Sequence, residues 1–85
     1  MAKKSVPERV IQGIADAMNL EESEVKEESL LEENLGMDSL DLVEGTMNLE
    51  EEFSIDIPDE DLPKLLSVKD VIEYIKARLK SEPNK

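Results

Sequence analysis

The sequence predicts an all-α fold: a small bundle of three main helices plus one short helix, with a long loop between the first and second helices. Three observations predict it. Three segments place apolar residues three and four positions apart, the period of one helical face. Each of these segments opens on Ser or Asp with an acidic residue three positions later, the spacing of a capping box. No segment sustains the apolar–polar alternation of a strand.

The first helix starts at Ser5-Val6-Pro7-Glu8, where Ser5 caps, Pro7 suits the first turn and Glu8 completes the box. Val6, Val10, Ile11, Ile14, Ala15 and Met18 carry it to about Met18. Asn19 to Met37 is a long acidic connection, with Leu20, Val25, Leu30, Leu31 and Leu35 expected to pin it to the core and a short helical turn near Leu30 to Glu33. The second helix begins at Asp38 or Ser39 and ends near Phe53. Ser54 to Ile57 is extended and closed by Pro58. Asp59-Glu60-Asp61-Leu62 makes one helical turn that Pro63 restricts, with Leu65 and Leu66 expected to pack inward. The last helix follows Ser67-Val68-Lys69-Asp70, and Val68, Val71, Ile72, Ile75 and Leu79 form its apolar stripe. Lys76, Arg78 and Lys80 suit its negative C-terminal end. Residues 1–85 read as a single domain with frayed ends at 1–4 and 81–85.

Composition narrows the function. The chain has no Cys and no His, so it offers neither a thiolate nor an imidazole. A serine nucleophile needs a base and a group that orients the base, so Ser39 reads as a serine that another protein modifies. Net charge is −12 and uneven: residues 1–20 carry +1, residues 21–61 carry −16, and residues 62–85 carry +3. So negative a field repels nucleic acid and anionic lipid and favours partners with basic patches. With Phe53 and Tyr74 as the only aromatics, base stacking is unsupported as well. No apolar stretch is long enough to span a membrane, and Met1-Ala2-Lys3-Lys4 has no apolar segment behind it to make a secretory signal. A cytoplasmic monomer is the expectation. Paired carboxylates are inevitable among twenty-two acids, and no Arg, His or Tyr cluster is expected to partner them in a pocket, so the reading is a non-enzyme. The acids at Asp56, Asp59, Glu60, Asp61 and Glu50-Glu51-Glu52 do not follow a calcium-loop pattern and read as a solvated surface with diffuse cation binding, with no specific metal site.

The second helix carries two stripes. Leu42, Gly45, Thr46, Leu49 and Phe53 fall on one face, the core side. Leu40, Glu44, Met47 and Glu51 fall roughly opposite, with Val43 beside them. Apolar residues ringed by carboxylates suit a docking surface, where apolar anchors supply affinity and charges supply steering.

The run Gly36-Met37-Asp38-Ser39-Leu40 resembles the phosphopantetheine attachment motif of acyl carrier proteins. The resemblance continues through Val43-Glu44, Met47, Leu49-Glu50-Glu51-Glu52-Phe53, Ile55-x-Ile57-Pro58-Asp59-Glu60-Asp61 and Val68-x-Asp70-x-Ile72-x-Tyr74-Ile75, and covers roughly Val6 to Leu79. It implies that a phosphopantetheinyl transferase places 4′-phosphopantetheine from coenzyme A on Ser39, and that the arm's thiol carries acyl groups as thioesters. It implies docking of acyltransferases, ketosynthases and other acyl-chain enzymes at Asp38, Leu40, Asp41, Val43, Glu44, Met47 and Glu51. It implies an acyl cavity lined by Leu42, Gly45, Thr46, Leu49, Phe53 and Ile72. Delivery to fatty-acid or related lipid biosynthesis is the reading. Carriers for polyketide, peptide or aminoacyl transfer share these features, and an unmodified acidic adaptor would share the charge.

One stretch departs from the family. Typical fatty-acid carriers resemble Val-Glu-Leu-Val-Met-Ala-Leu where this chain has Val43-Glu44-Gly45-Thr46-Met47-Asn48-Leu49. Gly45 stands in for a bulky apolar residue, and Gly in a helix interior costs about 1 kcal/mol relative to Ala. Two readings stay open: a space kept for an unusual acyl group, or repacking by Leu42 and loop residues around ordinary cargo.

Overall fold

Three helices form where caps and apolar periodicity coincide: α1 (Val6–Met18), α2 (Ser39–Phe53) and α3 (Val68–Ser81). In this computed structural model residues 5–81 are described. Ser5 accepts a hydrogen bond from the Glu8 amide while Glu8 accepts from the Ser5 amide, a full capping box. Asn19 ends α1 in the left-handed conformation. Ser67 and Asp70 cap α3 reciprocally: the Asp70 amide donates to Ser67 Oγ at 3.2 Å, and Asp70 Oδ2 accepts from the Ser67 and Leu66 amides at 3.1 and 2.9 Å. The expected short helix is a 3-10 helix, Asp59–Lys64, running past Pro63.

The helices meet around Val10, Ile14 and Ala15 of α1, Leu49 and Phe53 of α2, and Val68, Val71, Ile72 and Ile75 of α3. The connections add Val25, Leu31, Met37, Ile55, Ile57 and Leu65 to the same core. The long loop is therefore structural, and its backbone shows how it is held. The Leu31 amide donates to Leu66 O at 2.9 Å, the Val68 amide to Ser29 O at 3.0 Å and the Lys69 amide to Glu27 O at 2.9 Å. Leu30 and Ser67 form an isolated antiparallel bridge.

Several expectations are corrected. Leu30 does not pin the loop by its side chain, which is exposed, because the backbone bridge turns it outward. Leu66 is 65% exposed, because it follows Leu65 in an extended link where successive side chains face opposite ways and Leu65 takes the core. The short turn expected near Leu30 to Glu33 is present as helical-type bonds, from the Asn34 amide to Leu30 O at 2.9 Å and from the Gly36 amide to Glu32 O at 3.1 Å, and the loop holds a further 3-10 turn at Glu22–Glu24. Ser81 is the last residue of α3 rather than part of a frayed end, and the other expected frayed residues lie outside those described.

Candidate functional site

The site is built at the start of α2. Gly36 has φ +72°, a backbone conformation that side chains disfavour, and it turns the chain into the helix. Asp38, not Ser39, is the cap: the Asp41 amide donates to Asp38 Oδ1 at 2.9 Å, and the Asp38 amide donates to Asp41 Oδ2 at 3.3 Å. Ser39 is thereby left as the first helical residue, exposed, with no hydrogen bond to its hydroxyl among the described residues. Its Oγ is accessible and uncommitted.

A groove of about 160 Å³ runs beside that hydroxyl. Leu31, Met37, Leu42, Leu62, Pro63, Leu65 and Leu66 make its walls apolar, and Glu32, Asp38 and Ser39 edge it. A larger cleft of about 370 Å³ between α1 and α2, lined largely by Arg9, Gln12, Asp16, Asn48 and Glu52, excludes Ser39. Its walls are polar, whereas those of the smaller groove beside Ser39 are mostly apolar.

The two faces of α2 separate as the periodicity predicts. Leu40 and Met47 are 67% and 56% exposed, and Asp38, Glu44 and Glu51 are exposed beside them, with Asp41 and Val43 half-buried. Gly45, Thr46, Leu49 and Phe53 are buried, and Leu42 is half-buried. Under α2 lies a void of about 10 Å³ lined by Ile14, Leu31, Met37, Leu42, Gly45, Thr46, Leu49 and Val71. Phe53 and Ile72, expected in the cavity wall, sit in the core outside that lining: Phe53 lies about one turn beyond Leu49, and Ile72 directly follows Val71 on another side of α3. The Thr46 hydroxyl donates to Val43 O at 2.9 Å, so its polarity is absorbed within the helix.

Met37 fills the space opened by Gly45. Met37 is 4% exposed, and its Cε would stand 3.5 Å from a Cβ at Gly45. Sequence reasoning missed Met37 because it lies outside every helical period. It also missed the groove wall from Leu62 to Leu66, which the bridge between residues 30 and 67 brings beside Ser39.

The acidic surface is more structured than expected. Glu50 accepts from the Ile57 amide at 2.7 Å, and Arg9 donates to Glu52, leaving Glu51 as the member of that run on the exposed stripe. Asp61 accepts from the Tyr74 hydroxyl and from Lys64. The Tyr74 bond, and then Lys64, hold the Asp61 carboxyl below its ordinary value, while burial and then Asp61 push the Tyr74 phenol up. Arg78 lies 5.5 Å from the Tyr74 ring centroid, and Asp61, Tyr74 and Arg78 all lie outside the groove lining. Among the described residues, no group of three or more acids is placed to hold a metal, and no helix is long and apolar enough to cross a membrane.

A helical bundle that presents one uncommitted serine at a helix start, beside an apolar groove and an acidic helix face, defines a carrier domain. Residues 8–75 match the family model described as phosphopantetheine attachment site. An acyl carrier protein of Clostridium acetobutylicum is 51% identical over 70 residues, covering 82% of this chain and 91% of the relative. The chain belongs to this family: it is an acyl carrier protein, carrying acyl groups on covalently attached 4′-phosphopantetheine.

Proposed function

We propose that Ser39 is the attachment residue and that the chain, a single domain, delivers acyl intermediates to fatty-acid or related lipid biosynthesis enzymes without catalysing a reaction itself. The observation that carries this reading is the exposed Ser39 hydroxyl left free by the Asp38 cap. In the modification, Ser39 Oγ forms a phosphodiester as the phosphoanhydride of coenzyme A breaks and the nucleotide leaves. The serine proton goes to a base on the transferase, because the chain has no His or Cys to take it. The arm, once attached, supplies a thiol that holds acyl groups as thioesters.

Every other role falls to the protein's own side chains. Asp38, Asp41, Glu44 and Glu51 steer basic partner surfaces toward Ser39, while Leu40, Val43 and Met47 supply apolar anchors. The apolar walls of the groove shelter a chain and exclude water, and Leu42, Gly45, Thr46 and Leu49 line the space behind them. A cytoplasmic monomer suits this traffic among partners. The test is intact mass after incubation with coenzyme A and a carrier-protein phosphopantetheinyl transferase, with Ser39→Ala and Glu44→Lys alongside. One added phosphopantetheine is expected in the parent, none in Ser39→Ala, and slower addition in Glu44→Lys at low salt. Modification of Ser39→Ala overturns the site, and an unchanged Glu44→Lys rate removes that residue from the docking surface.

A further inference from the structure

The groove beside Ser39 and the void beneath Gly45 share Leu31, Met37 and Leu42 as walls. Leu42 belongs to α2, and the Leu31 amide is tied to Leu66 O. A Cβ at Gly45 would meet Met37 Cε at 3.5 Å and Ala17 Cβ at 4.0 Å; of the two, Met37 has the long side chain, and its backbone is held by the bond from its amide to Leu31 O at 2.9 Å. Its unbranched thioether has three rotatable bonds, so the side chain changes course at low cost while the backbone stays in place. We propose that Met37 is a displaceable plug, and that the Met37–Gly45 pair sets how far an acyl chain held at Ser39 enters the bundle. The proposal rests on the Ser39 reading above.

Swinging Met37 aside joins the groove to the void. The joined space is bounded by Ile14, Leu49 and Val71, and by Thr46, whose hydroxyl is already bonded within α2. An apolar chain entering it strands no polar group. The fitting cargo is an unbranched saturated acyl chain. Short chains occupy the groove alone, and longer ones take the place of the Met37 side chain against Gly45. The glycine is then specificity-determining, because a bulky residue there would meet either the plug or the chain.

The experiment loads the phosphopantetheinylated protein, checked by mass, with butyryl or octanoyl groups and follows the methionine methyl resonances by NMR. The Met37 methyl should shift with octanoyl and hold with butyryl, with Met18 as the reference. Octanoyl thioester cleavage by hydroxylamine should be slowed by Met37→Ala and accelerated several-fold by Gly45→Leu. Met37→Leu, which fills the space with a stiffer branched side chain, keeps the fold and should also accelerate cleavage. A Met37 methyl unmoved in octanoyl-loaded protein overturns the plug, as does a cleavage rate indifferent to Gly45→Leu. Should no arm be added, the Ser39 reading fails, and xenon tests the plug in the unmodified protein, since dry apolar voids take up xenon. Xenon should perturb the Ile14 and Val71 methyls in Met37→Ala, where truncation enlarges a void of about 10 Å³ that is too small for xenon in the parent, and no response in Met37→Ala overturns the plug.

Discussion

At the Phe53 end of α2, Arg9 of α1 donates from Nε to Glu52 Oε2 at 2.9 Å and from Nη2 to Glu52 O at 3.0 Å, and its guanidinium lies 4.3 Å over the Phe53 ring centroid. Glu50 takes the Ile57 amide in the same region. At the Ser39 end, the side-chain hydrogen bonds of the helix start stay within the Asp38–Asp41 box, and contact with the rest of the bundle is made by Leu31, Met37 and Leu42 around a groove and a void. The difference lies in the kind of force. Hydrogen bonds and a stacked guanidinium prescribe one geometry, whereas dispersion contacts among aliphatic and thioether groups hold in several arrangements. One helix thus has an end anchored by hydrogen bonds and an end held by dispersion contacts, and Ser39 sits at the second.

The largest effect expected from breaking this contrast is in truncation. Phe53→Ala should cost about 4 kcal/mol and Met37→Ala about 2 kcal/mol, because the ring takes more buried apolar surface with it and its contact with Arg9 as well. Equal losses in urea unfolding would refute the asymmetry. Next is Arg9→Ala, expected to cost about 1.5 kcal/mol through the two bonds to Glu52, a modest figure because both side chains are partly solvated. Gly45→Ala should stabilise the protein by about 1 kcal/mol, since it removes a helical glycine and the new Cβ meets Met37 at ordinary contact distance. A loss of stability there would mean that the Ser39 end is as tightly packed as the Phe53 end.

The smallest effect lies away from both ends, where Tyr74 ties the 3-10 helix to α3 through Asp61. Asp61 titrates below its ordinary 3.8 in the folded protein, so its contribution is present above that value and fades as pH falls through the lowered one. Tyr74 titrates above its ordinary 10.0, so its contribution is present below that value and fades as pH rises through the raised one. Tyr74→Phe should therefore lower stability by a constant amount between these limits, with the difference from the parent shrinking at both extremes. A difference independent of pH down to strong acid would dissociate Asp61 from the effect.

The three helices and their starts were legible because caps and periodicity are local: Ser5 with Glu8, Asp38 with Asp41, and Ser67 with Asp70 lie within one turn of each other. The separation of Leu40 and Met47 from Leu49 and Phe53 was legible for the same reason, since 3.6 residues per turn places them on opposite sides. Leu30 and Leu66 were misjudged because a loop has no period from which to read a side chain's direction. Partnerships such as Arg9 with Glu52 and Tyr74 with Asp61 span long sequence separations that no local pattern encodes.

The sequence by itself determined the family, the helical class, the strong negative charge, and the serine that opens α2. These depend on residue type and on spacings of a few positions, so they survive without coordinates. Tertiary structure alone decided that residues 62–66 wall the groove beside Ser39 and that Met37 fills the space Gly45 leaves. Both depend on which distant segments pack together, and burial of apolar surface, being non-directional, settles that only when the whole chain has closed.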